Sequence, residues 1–169
     1  MTPDHSADPT LDRLLRHMAW ANAALFDGLS GLPDEALALA APRNEWPVGR
    51  ILGHLVDAAD RYAARLEGVP RPPDTEPPTT GAELAAQAAR CAAIDARLRE
   101  QAAVPEGPSP SPDPANPGRA RSTVVAQAVH HATEHRAQIA AALATNGIDA
   151  IDLDELDVWA YGDAEGLGA

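Results

Sequence analysis

The sequence predicts an all-α fold, a four-helix bundle. Three observations carry that expectation. Apolar residues recur at helical spacing in four long segments. Alanine is abundant and aromatic residues are scarce, which suits helices packed closely through small side chains. No segment alternates as a strand does, and no internal repeat is visible.

The first helix is expected at about 9–29, where Leu11, Leu14, Leu15, Met18, Leu25 and Phe26 share one face and Gly31-Leu32-Pro33 closes the segment. The second is expected at about 47–66, stopping at Gly68-Val69-Pro70, with Pro47 suited to a first turn that does not need its missing N–H. Two proline-rich stretches frame the third helix, at 70–78 and at 105–117. Neither can be helix or central strand, so both are surface connections. Between them, Thr80 with Glu83 three residues on forms a capping-box pattern for a helix over about 80–103. The fourth helix spans about 122–145 and stops at Asn146-Gly147. A tail at 148–169 carries Leu153, Leu156, Val158, Trp159 and Tyr161 and is expected to pack a short helix or turn over one end.

A chain of 169 residues fits one domain, 1–169, with a substantial core. Its net charge of −12 argues against nucleic acid or an anionic membrane as partner, because the overall field repels both. Cys91 is the only cysteine and has no activating neighbour in sequence, so it reads as a small buried hydrophobe. No apolar run is long enough for a membrane span and no signal core opens the sequence, so a cytoplasmic protein is expected.

Three of the six histidines lie in the helical run His130-His131-Ala132-Thr133-Glu134-His135. Residues four apart share a helix face, so His131 and His135 are spaced to bind one metal ion, and His54 is available as a third ligand. At about 100° per residue, taking His131 as zero, Val124, Ala128, Ala132, Ile139 and Ala142 fall between about +20° and +100°. His135 lies inside that apolar stripe at about +40°, whereas His130 at about −100° and Arg136 at about +140° fall outside it. The same exercise puts His54 at the margin of the core face of the second helix. Two accounts follow: each histidine is separately hydrogen-bonded at the core edge, or the imidazoles share a metal that offsets their desolvation. His5 and His17 carry no such signal.

His131-Ala132-Thr133-Glu134-His135 also matches the H-x-x-E-H pattern of inverted zincins, but a short bundle lacks the distant acidic ligand and the cleft such a protease needs. Glu134 is then either a solvated carboxylate or a group near a metal-bound water. Arg50, Arg61 and Arg65 fall within about 40° of His54 on the wheel. They form either a solvated helix edge or a basic rim able to grip a carboxylate or phosphate. Trp20 and Trp46 read as packing residues.

The chain resembles the DinB/YfiT-like metalloproteins, the DNA-damage-inducible DinB-like family. Met18-Ala19-Trp20-Ala21-Asn22 is similar to that family's Trp-Ala-Asn signature. Trp46-Pro47-Val48-Gly49-Arg50-Ile51-Leu52-Gly53-His54 is similar to the segment leading to its first metal histidine. His131-Ala132-Thr133-Glu134-His135-Arg136-Ala137-Gln138 is similar to its His-x3-His-Arg-Gly-Gln run, and Leu156-Asp157-Val158-Trp159-Ala160-Tyr161 to one branch's ending. Pro47 stands where a capping Ser or Thr is common, and Ala137 where Gly is common; neither is a ligand position. The resemblance implies an antiparallel four-helix bundle, a divalent metal (zinc or nickel) held by His54, His131 and His135, and a homodimer.

It also implies a chemistry. Three neutral histidines leave a bound divalent ion cationic, so it can bind and deprotonate a thiol or water near neutral pH. Relatives by this resemblance include transferases and isomerases that use a low-molecular-weight thiol such as bacillithiol, mycothiol or glutathione, and proteins described as hydrolases. The expected function is metal-dependent activation of such a thiol toward a small-molecule substrate. The alternatives are a hydrolase in which Glu134 or Asp57 accepts a proton, and a non-catalytic metal-binding stress-response protein. The acidic charge balance disfavours capture of an anionic thiol unless the arginine rim contributes.

Overall fold

The computed structural model describes residues 8–42, 45–110 and 118–166. Among these residues five α-helices follow in order: α1 Pro9–Ser30, α2 Val48–Glu67, α3 Gly81–Ala102, α4 Arg121–Thr145 and α5 Val158–Ala164. Short 3-10 turns lie at Asp34–Ala38 and Asp154–Leu156. Among the described residues there is no strand, only a single bridge between Pro108 and Ala120. His5, Pro112, Pro114 and Pro117 lie outside these residues.

Local chemistry sets the helix ends. The Asp8 carboxylate accepts from the N–H groups of Thr10 and Leu11 and starts α1. Thr80 and Glu83 cap α3 reciprocally, as their spacing predicts. Gly68 ends α2 at φ +73°, a left-handed conformation that favours glycine. Pro47 differs from expectation: it is extended and sits at the N-cap, one residue before α2 begins. At the start of α4 there is no side-chain cap, but the Glu106 carboxylate accepts from Ser122 N–H.

The buried apolar side chains of α1 to α4 form one cluster, and Cys91 is part of it at 1% exposure. Cross-helix bonds fix the directions. Arg99 reaches Asp12 while Asn22 reaches Asp95, so α1 and α3 run antiparallel. Arg90 joins Asp57 and Asp60, and Arg97 joins Asp60 and Glu67, so α2 and α3 run parallel. Arg121, in the first turn of α4, donates to the carbonyls of Leu66 and Gln101 and so staples the C-terminal ends of α2 and α3. Those are the ends where a cation is favoured by the helix dipole. Pairing is therefore antiparallel for α1/α3 and α2/α4, and parallel for α2/α3.

A parallel α2/α3 pair needs a connection that runs back along a helix of 20 residues, about 30 Å. The proline-rich strap at 69–80 has that reach, since extended proline-rich chain spans about 3.1 Å per residue. Glycines on α2 make room for it. A Cβ on Gly49 would run into the Pro78 carbonyl oxygen, and one on Gly53 would sit 3.3 Å from Pro77 Cα. Farther along, both oxygens of Asp57 hold Thr75: Oδ2 accepts from its N–H and Oδ1 from its hydroxyl.

One expectation from the helical wheel is corrected. Arg136 is 3% exposed, although the wheel put it outside the apolar stripe. It is buried because Asn22 Oδ1 and Thr133 Oγ1 accept from its guanidinium while Asn22 Nδ2 donates to Asp95. Asn22 thus bridges a buried cation and a buried anion across three helices. The tail divides its aromatic residues. The tail does fold over α1, with Tyr161 buried, His17 Nε2 donating to Leu156 O, and Arg16 paired with Glu165. Trp159, however, points outward at 85% exposure. With seven residues, α5 has one inward face, and Tyr161 takes it.

Candidate metal centre

His54 projects from α2 and His131 and His135 from α4, across an antiparallel pair of helices. Their ligand nitrogens all lie within 4.8 Å of one another. His131 Nε2 is 3.2 Å from His54 Nε2 and 3.0 Å from His135 Nε2. His135 is buried, and His54 and His131 are half-buried, so the cluster opens to solvent on one side. His130, one residue away, is exposed, as its helical angle predicts.

The donor set fits a divalent cation. Metal–nitrogen bonds of about 2.0–2.1 Å place neighbouring ligand nitrogens about 2.9–3.4 Å apart for angles from square to tetrahedral. The observed separations fall in that range. His135 also has its tautomer set: its Nδ1 is 2.7 Å from Gln138 Oε1. An amide oxygen only accepts, so Nδ1 carries the proton and Nε2 turns its lone pair to the other two rings. Neutral imidazoles could share at most one proton, held on His131, among these three nitrogens, whereas a shared cation takes a lone pair from each.

Electrostatics point the same way. Burial, followed by the neighbouring His135 and His54, pushes His131 down to about 3. His54 is also lowered, mainly by burial and then by His135. Both rings therefore stay neutral at pH 7 and keep a lone pair for a metal.

Aromatic rings flank the cluster. Trp46 meets His54 edge-on with centroids 5.0 Å apart, and Tyr62 meets His131 at 5.7 Å. Sequence reasoning treated Trp46 as packing and did not single out Tyr62 or Gln138. Gln138, one turn beyond His135 on α4, is the member whose spacing could have revealed it.

The remaining expected residues fall into separate places. Arg50 lies over the Trp46 ring, its Cζ 4.4 Å from the centroid. Arg61 pairs with Asp74 of the strap and lies close enough to lower both His54 and His131. Arg65 is about 16 Å along the helix axis from His54 and donates to Ser109. Asp57 is buried beneath the strap, its carboxylate bound to Thr75 and Arg90. Glu134 is exposed on α4 between His131 and His135.

No curated protein matches the chain. The family model described as the DinB superfamily matches residues 17–139. That span includes Asn22, Trp46, all three clustered histidines and Gln138, and covers well over half of the sequence. The chain belongs to the DinB superfamily.

Proposed function

We propose that this protein is a metal-dependent enzyme in which His54, His131 and His135 hold one zinc or nickel ion and a low-molecular-weight thiol is activated for transfer to, or isomerisation of, a small molecule. The observation that supports this reading is the convergence of one ring nitrogen from each of three histidines within 4.8 Å, on an α2/α4 pair. When bound, the cation supplies the positive charge that acidifies a thiol or a water near neutral pH.

The chain's own groups supply the rest. Gln138 holds His135 in the ligating tautomer. Trp46 and Tyr62 flank the histidines and offer apolar surface beside the opening. Glu134, exposed beside the ligands, is assigned to exchange protons with solvent. Asp57 acts through the strap, holding Thr75 while Arg61 pairs with Asp74 beside the histidines.

The open side admits water as readily as a thiol, which favours amide or ester hydrolysis as the second reading. Incubating metal-loaded protein with a generic electrophile and a panel of small thiols separates the two. Conjugation that needs both metal and thiol supports thiol transfer, whereas turnover of simple esters without thiol supports hydrolysis. Absence of both counts against an enzyme. The reading also carries a cytoplasmic homodimer built from a single domain, and sedimentation equilibrium tests the dimer.

A further inference from the structure

Arg50 differs from the arginines that pair across this acidic surface. The sequence holds 25 acidic residues against 13 basic ones, and Arg61, Arg71, Arg90, Arg97 and Arg99 each lie against a carboxylate. Arg50 is exposed, and no ion pair to a carboxylate is seen for it among the described residues. It rests instead on the face of Trp46, and Trp46 in turn abuts His54.

Position and stacking both keep this cation near the metal centre. Arg50 is four residues before His54, so the two share a face of α2, about 6 Å apart along the axis. Stacking on an indole fixes the guanidinium plane and leaves its N–H edge free. The first turn of α2 contains no acidic residue and lacks a side-chain cap, so its positive end is not neutralised there. Arg61, on the other side of His54, is already paired with Asp74 and offers no second free cation.

We infer that the ligand of this centre carries a carboxylate, and that Arg50, stacked on Trp46, grips it while the rest of the ligand reaches the three histidines. A planar carboxylate matches the guanidinium fork through two parallel N–H···O bonds. The inference rests on the metal reading above and adds to it the class of ligand.

The test uses cobalt-loaded protein and two thiol probes, 3-mercaptopropionate and 1-propanethiol. Thiolate binding, with its proton released to buffer, is read from the cobalt–thiolate absorption, and cobalt content is measured alongside. Wild type is expected to bind the carboxylate probe about tenfold more tightly than the neutral one, the scale of one charge-assisted pair. In Arg50→Gln that preference collapses, while cobalt content, Tm and propanethiol affinity stay at wild-type values. Arg50→Lys restores part of the preference, because lysine keeps the charge but not the fork. Equal binding of the two probes by wild type overturns the inference. So does a preference that survives in Arg50→Gln, which assigns it to chelation by the cobalt. Failure of wild type to take up cobalt overturns the metal reading and this inference with it.

Discussion

His135 uses one ring nitrogen on Gln138 and offers the other to His131, and this division of labour is what a ligating histidine requires. Replacing Gln138 by Leu removes the acceptor and frees the ring to flip or change tautomer. Zinc affinity measured by chelator competition is expected to fall about 10–100-fold, with helix content unchanged. The buried Asp95 gives a second prediction at this scale. Burial raises its carboxyl from 3.8 to about 6, against the opposing bonds from Asn22 and Cys91. A raised carboxyl contributes stability that is present below its unfolded value and lost as pH rises through its folded value. The stability of Asp95→Asn relative to wild type should therefore grow between about pH 4 and pH 6, by roughly 3 kcal/mol at most. Parallel stability curves in denaturant titrations over that range would refute it. Histidine spacing and helical angle were enough to separate His131 and His135 from His130 in the sequence. Arg136 defeated the same angle, because a helical wheel reports direction and not the distant Asn22 that makes burial tolerable.

The strap decides how α2 and α3 can lie side by side. Its close passage over Gly49 predicts that Gly49→Ala forces the Pro78 backbone away, at a cost of about 1–3 kcal/mol in denaturant titrations. Gly31→Ala, where a Cβ meets nothing within 4 Å, serves as the control and should cost far less. Helix ends were legible in the sequence to within one or two residues, because caps such as Thr80 with Glu83 are local chemistry. The strap was legible only as a proline-rich connection. Its path depends on Gly49, Gly53 and Asp57, which precede it by roughly 20 to 30 positions, and no local pattern announces that pairing. The same holds for helix direction: the resemblance implied an antiparallel bundle, and the ion pairs of α2 with α3 show that this pair runs parallel.

For the whole molecule, the histidine cluster ties α2 to α4 midway along the bundle, so a bound ion acts as a cross-link. A ligand that binds only the folded state stabilises it in proportion to the logarithm of its concentration over Kd. Chelation is thus expected to lower Tm by several degrees, and saturating zinc to restore it. Acid should act as chelation does. His131 is held down near 3, so the unfolded chain takes up a proton there between about pH 6.5 and pH 3 while the folded chain does not. Protons also compete with the metal for all three rings. Stability and metal content should fall together as pH drops from 6.5 toward 4. No helix among the described residues is long and apolar enough to cross a membrane.

The most direct test of the three-histidine centre is metal content by elemental analysis of purified wild type, His54→Ala, His131→Ala, His135→Ala and His130→Ala. Wild type and His130→Ala should each carry about one divalent ion per chain after saturation and gel filtration. The other three variants should lose most of it. Equal metal content across all five proteins, or loss in His130→Ala alone, would contradict the assignment.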